Sequence, residues 1–188
     1  MPLSEPVARR HLHTRTVVIE GFVREDGLWD LEGRMTDAKT YAFPNQDRGV
    51  IAAGEPLHDM RVRLTIDSEM RVHAVEASTE ASPFRICPEI APNYRKLEGA
   101  VIGPGWRARI REAVGGREGC THISELLMAM ATPAFQTLYA ERERKVADTP
   151  PGRRRPGKRP HWVDSCYALR DDGEIIRERW PQYARDKG

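Results

Sequence analysis

The sequence predicts an α+β fold, on three observations. Apolar and polar residues alternate through much of residues 11–78, the period of half-buried strands. From about residue 88 apolar residues recur every three or four positions, the period of amphipathic helices. Asp26-Gly27 and the polar turn Asp67-Ser68-Glu69 divide the alternating runs into hairpins. The expected architecture is a mostly antiparallel sheet of two hairpins, three helices packed on one of its faces, and a C-terminal hairpin.

Residues 1–10 read as an extended arm. From His11 to about Val23, the side chains of Val17, Ile19 and Val23 share one parity, and LWDLEGRMT continues as the second strand after the Asp-Gly turn. Residues 44–57, with Pro, Asn and Gly, read as a loop with room for one short strand. MRVRLTID and MRVHAVEAS form the second hairpin. Its Met60, Val62, Leu64 and Ile66 face one way, and Arg61, Arg63 and Thr65 the other. Ile90, Tyr94 and Leu97 predict a helix over 88–98, stopped by Gly99. Pro104 opens a second helix, with Trp106, Ile110, Ala113 and Val114 inward and Gly115-Gly116 as its stop. A third and longer helix starts near Thr121, and Pro133 should kink or divide it. Residues 148–160 form a Pro/Gly-rich basic loop. HWVDSCYAL and EIIRERW around Asp172-Gly173 read as the final hairpin.

Composition narrows the class. The 188 residues fit a single α+β domain, 1–188. Thirty basic residues against 28 acidic ones leave a net charge of +2, which gives no global reason to expect nucleic acid. Arg153, Arg154, Arg155, Lys158 and Arg159 cluster in the basic loop without interleaved aromatics. That loop reads as a solvated linker, a lid over an anionic small molecule or, third, a nucleic-acid contact. Three isolated cysteines suit reduced thiols in a cytoplasm rather than a disulfide framework. No apolar run is long enough for a membrane span, and the first residues lack the apolar core of a secretory signal.

Four constellations could carry chemistry. His11 and His13 lie two apart on a strand and point the same way; with His58 they form a candidate metal set. Hydrogen bonds to backbone at the sheet end are the alternative. Cys120 precedes the third helix, where the helix dipole favours thiolate, and His122 follows as an acid/base partner or ligand; a small buried thiol beside a turn is the alternative. On the first hairpin, Glu32 or Asp30 is a candidate general base tuned by Arg24 or Arg63, provided that a loop covers that face; otherwise the face is solvated. Cys87, Cys120 and Cys166 stand alone in their segments, which argues against a closed zinc site with His122.

The ordered strings HLHTR, GFVREDGLWDLEG, HDMRVRLTID, SPFRICP, IGPGW, GCTHISELL and WVDSC resemble a proteobacterial family catalogued only as a domain of unknown function, from about His11 to Tyr167. The resemblance implies an accessory catabolic role near pathways for aromatic or lignin-derived compounds, and transfers no catalytic residues.

The expected function is a small cytoplasmic enzyme, a lyase working by acid/base chemistry with or without one divalent metal. His58, Cys120, His122 and Glu32 are its candidate catalytic groups. Arg24, Arg63 and Trp106 would hold an anionic or phenolic substrate, and His11, His13 and His58 would hold the metal. No Rossmann or P-loop glycine motif is present, so no nucleotide cofactor is expected. The alternative is a non-catalytic metal- or ligand-binding accessory protein using Cys120 and His122. An exposed sheet face also suggests a homodimer.

Overall fold

The structure, a computed structural model, describes residues 2–147, 159–160 and 162–185. Two compact units divide the chain, one up to residue 143 and one from residue 144. Apart from Arg159 and Pro160, the basic loop lies outside the described residues.

In the first unit four long strands form one antiparallel sheet: β1 (His13–Val23), β2 (Trp29–Lys39), β5 (Pro56–Ile66) and β6 (Val72–Ala81), in the order β1-β2-β5-β6. The loop expected over 44–57 contains a small hairpin, β3 (Phe43–Asn45) with β4 (Gly49–Ile51). Asp26-Gly27 turns β1 into β2: Gly27 takes φ 85°, and the Asp26 carboxylate accepts the Leu28 N–H. At the second turn Asp67 does the same for the N–H groups of Glu69 and Arg71.

The alternation sets which face is covered. Trp29, Leu31 and Met35 of β2 and Met60, Val62, Leu64 and Ile66 of β5 are buried on one side. Against them pack a 3-10 helix (Cys87–Leu97), α1 (Trp106–Val114), α2 (Thr121–Ala129) and α3 (Ala131–Ala147). Ile110, Ile123, Leu126, Leu127 and Met130 supply their core residues, each such side chain contributing about 1.5–3 kcal/mol by leaving water. The opposite face carries Glu20, Glu32, Arg34, Arg61, Arg63 and Glu76 and, among the described residues, lies open as a shallow concavity.

Two helices differ from expectation. In an α-helix the ring of Pro92 would clash with the carbonyl four residues before it, and the first segment is 3-10. The long helix breaks in two at Met130, so that Pro133 falls in the first turn of α3, where its missing N–H leaves no bond unmade.

The second unit corrects the expected C-terminal hairpin. Residues 167–169 form a 3-10 turn, Glu174–Arg179 form α4, and 181–183 a further 3-10 turn. The Asp-Gly pair therefore opens a helix: Gly173 stands at its N-cap and Ile176 is buried. Locally, buried Asp171 accepts hydrogen bonds from Arg159 (2.8 Å) and Arg185 (2.7 Å). Trp162 packs on Trp180 with ring centroids 4.7 Å apart. These contacts fix coiled and helical segments where a strand pair was expected.

Candidate functional site

The site grows from one carboxylate on the covered face of the sheet. Asp37 follows Met35 by two residues on β2, so its side chain points to the side of the core, and only 4% of it is exposed. Register places Arg15 of β1 opposite it on one side and His58 of β5 on the other. A register irregularity follows at Asp37/Ala38.

A buried carboxylate needs partners, and Asp37 has three. Arg15 donates from Nε to Oδ1 and from Nη2 to Oδ2, both at 2.8 Å. His13 Nε2 donates to Oδ1 at 2.9 Å, and His58 Nδ1 to Oδ2 at 3.0 Å. Arg15 continues through Nη1 to Glu125 of α2 at 2.6 Å. Burial alone would raise the Asp37 pKa, but the Arg15 guanidinium, with help from the two histidines, holds it at about 2. Arg15 is pushed up in turn by Asp37.

His122, the second residue of α2, completes the cluster. Its ring stacks on His58 with centroids 3.8 Å apart, and its Nε2 lies 3.8 Å from Asp37 Oδ2. Burial lowers the His58 pKa most, and a neighbouring His122 cation would lower it further; both outweigh the pull of Asp37 upwards. His58 is therefore neutral at pH 7. Since a carboxylate only accepts, the single ring proton sits on Nδ1 and leaves the Nε2 lone pair available.

Cys120 is the N-cap residue of α2, with Sγ 3.8 Å from His122 Nδ1. Tyr94, fully buried, fixes this turn by accepting the Cys120 N–H and donating to its carbonyl, both at 2.8 Å. Gly119 permits the approach, because a Cβ there would lie 2.1 Å from the Val114 carbonyl oxygen. A cavity of about 360 Å³, lined by Ile110, Gly115, Gly116 and Met128, has Cys120 in its wall.

The family described as "Protein of unknown function (DUF2889)" matches residues 13–136. The chain belongs to this family. The comparisons give no matching curated protein and no matching solved structure. All the DUF2889 side chains just described, from His13 to Glu125, lie within the matched span.

The structure brings together His13, His58, Cys120 and His122, and not the rest of the expected set. His11 Nε2 turns to the His13 carbonyl and Thr14 hydroxyl, each 3.0 Å away, at an exposed position. Glu32 and Arg63 pair with one another at 2.8 Å on the open face, behind the sheet as seen from His58. Among the described residues no helix covers that face, and the Arg63 and Glu32 side chains are 44% and 43% exposed, so the pair is solvated. Arg24 holds Asp26 and Asp30 at the hairpin turn. Trp106 is a core residue whose Nε1 donates to the Leu127 carbonyl, so it presents no surface to a ligand.

Asp37 and Arg15, the groups that organise this DUF2889 site, carry a signal that motif reading passed over. Each shares parity with a buried or site-facing neighbour, Met35 for Asp37 and His13 for Arg15. A charge at an inward strand position requires a partner.

Asp37, His58 and His122 offer ligand atoms within 4.8 Å of one another, a geometry a divalent ion could use. Arg15 already occupies both oxygens of Asp37. A cation ligated there would sit beside a guanidinium, so the donor set fits hydrogen bonding to histidine better than metal ligation.

Proposed function

We propose that the chain is a small-molecule acid/base enzyme in which His58 moves the proton and Asp37 positions it. The supporting observation is the 3.0 Å contact of His58 Nδ1 with the buried Asp37 carboxylate; with burial lowering the His58 pKa, this leaves a neutral imidazole with a basic Nε2. Asp37 cannot take the proton itself, because Arg15 keeps it ionised at any working pH. His122, stacked on His58, would then carry the second proton transfer. Such a pair suits a lyase, which removes a proton at one atom and returns it at another with no oxidant or reductant.

The cavity beside Cys120 supports an aromatic substrate of one ring, phenolic or anionic, as in lignin-derived intermediates. Its walls combine Ile110, Val114, Met128 and glycine backbone, which suit a flat ring, with Arg111, which suits an anionic or phenolic oxygen. Three cysteines without a disulfide among the described residues support a reducing cytoplasm. Incubation with a panel of hydroxylated benzoic and phenylpropanoid acids in D2O, read by proton NMR, tests the reading. Cleavage or carbon–deuterium exchange with wild type, lost in His58→Gln, is expected. A panel left unchanged by wild type, or turned over equally by His58→Gln, contradicts it.

A second reading is a metal-binding accessory protein, supported by the proximity of Asp37, His58 and His122. It requires stoichiometric metal in protein purified without an affinity tag, lost in His122→Gln.

A further inference from the structure

We propose that β1 is the seam of a symmetric dimer, in which two copies pair their β1 strands antiparallel and join their sheets. The inference is independent of the chemistry at Asp37.

β1 runs eleven residues, His13–Val23, and is hydrogen-bonded along one side to β2. Its other side meets no strand among the described residues. The opposite edge of the same sheet is treated differently. β6 is flanked by the 3-10 helix Cys87–Leu97, and Arg71 just before it bridges to Val101. Among the described residues one edge is thus closed within the chain and the other left open.

An open edge is normally blunted by proline, lysine, a bulge or short length. β1 has none of these: its sequence HTRTVVIEGFV lacks both residues, its register with β2 is unbroken, and its inward-pointing charge, Arg15, is neutralised within the chain by Asp37. Instead it shows apolar side chains on both faces of the ribbon. Val17, Val18, Phe22 and Val23 are between 44% and 65% exposed. Only a further strand both hydrogen-bonds the free backbone and covers side chains above and below it.

The charges admit a second copy as that strand. Arg15 and Glu20 are the charged residues of β1, apart from His13, and alternation sends them to opposite faces of the sheet. An antiparallel overlap centred on Val18 sets Arg15 against the partner's Gly21, Glu20 against the partner's Thr16, and Val17 against the partner's Ile19. No like charges face one another. Two-fold pairing of identical edges also closes on itself, consuming the free edge without making another. A ladder of this length spans about 36 Å and buries on the order of 1,000 Å² in all, the lower bound for a specific interface and the size of a weak, concentration-dependent dimer.

Sedimentation velocity on the full chain over a micromolar concentration range tests the proposal. Wild type should pass from monomer to dimer. Val18→Glu should stay monomeric at about tenfold higher concentration, because the two introduced carboxylates meet at the two-fold axis, while within one chain the new side chain gains Arg34 as a cross-strand neighbour. Val50→Glu, an exposed site off the edge, should dimerise as wild type does. A wild type that remains monomeric at hundreds of micromolar, or a Val18→Glu dimer as strong as wild type, overturns the proposal. Should Val18→Glu fail to fold by circular dichroism, hydrogen exchange on wild type decides. Outward β1 amides that slow with protein concentration support the seam, and exchange independent of concentration rejects it.

Discussion

Asp37 Oδ2 accepts the Nδ1–H of His58 at 3.0 Å while Arg15 grips both oxygens of the same carboxylate from the other side. The consequence is a division of labour. Arg15 fixes the charge of Asp37, Asp37 fixes the tautomer of His58, and the lone pair of His58 is left for chemistry.

Asp37→Asn should keep the fold and lose the tautomer. An amide oxygen accepts one bond well and its NH₂ opposes the donors around it, so His58 is free to turn. Turnover of whichever phenolic acid the wild type accepts should fall about 10²–10⁴-fold, the range for general acid/base groups. KM should change little; a large rise in KM with unchanged kcat would make Asp37 a binding residue instead.

Arg15→Met should be more damaging to stability than an ordinary surface change. It leaves a buried carboxylate with only the two histidine donors. Because Arg15 itself is partly solvated, the cost is about 2 kcal/mol, below the range for a fully buried pair. Urea denaturation measures it. Arg15→Lys should recover only part, since an ammonium cannot make the two parallel bonds.

Acidity should weaken the fold in two windows. The pKa of His58 is lower in the fold than its ordinary 6.5, so the unfolded chain binds the proton first. Its contribution is complete above about pH 6.5 and is lost as pH falls through the lowered value. Asp37 adds a second loss, from the ordinary 3.8 down to about 2. Thermal denaturation from pH 7.5 to 2 should show Tm falling in wild type through both windows. His58→Gln should flatten that upper window and leave the acidic one.

Gly33→Ala probes how closely α2 lies on the sheet. A Cβ at Gly33 would stand 3.1 Å from both Leu126 Cδ1 and Met130 Sδ. The overpacking should cost about 1–3 kcal/mol in urea denaturation. No loss would mean that α2 and the sheet adjust at no cost.

Most of the strand scaffold could be read from alternation, because β2 and β5 each have one covered face, and period 2 is then unambiguous. The strand reading of LWDLEGRMT ended at Thr36, one residue short of Asp37, so the organising carboxylate was missed at a strand end. His58, Cys120 and His122 were visible as isolated chemical types; that they share one partner depends on register and on the docking of α2. The C-terminal segment failed for another reason. Its apolar runs are too short to separate strand from helix by period, and what decides there is Asp171 with its two arginines.

The tautomer and titration of His58 test the account most directly, by ¹H–¹⁵N correlation of the imidazole nitrogens in wild type across pH 4–8. The account predicts a proton on Nδ1, an unprotonated Nε2 at pH 7 and a midpoint below the ordinary 6.5, with the Nδ1 preference weakened in Asp37→Asn. A proton resident on Nε2 at pH 7, or a midpoint above 7, would contradict it.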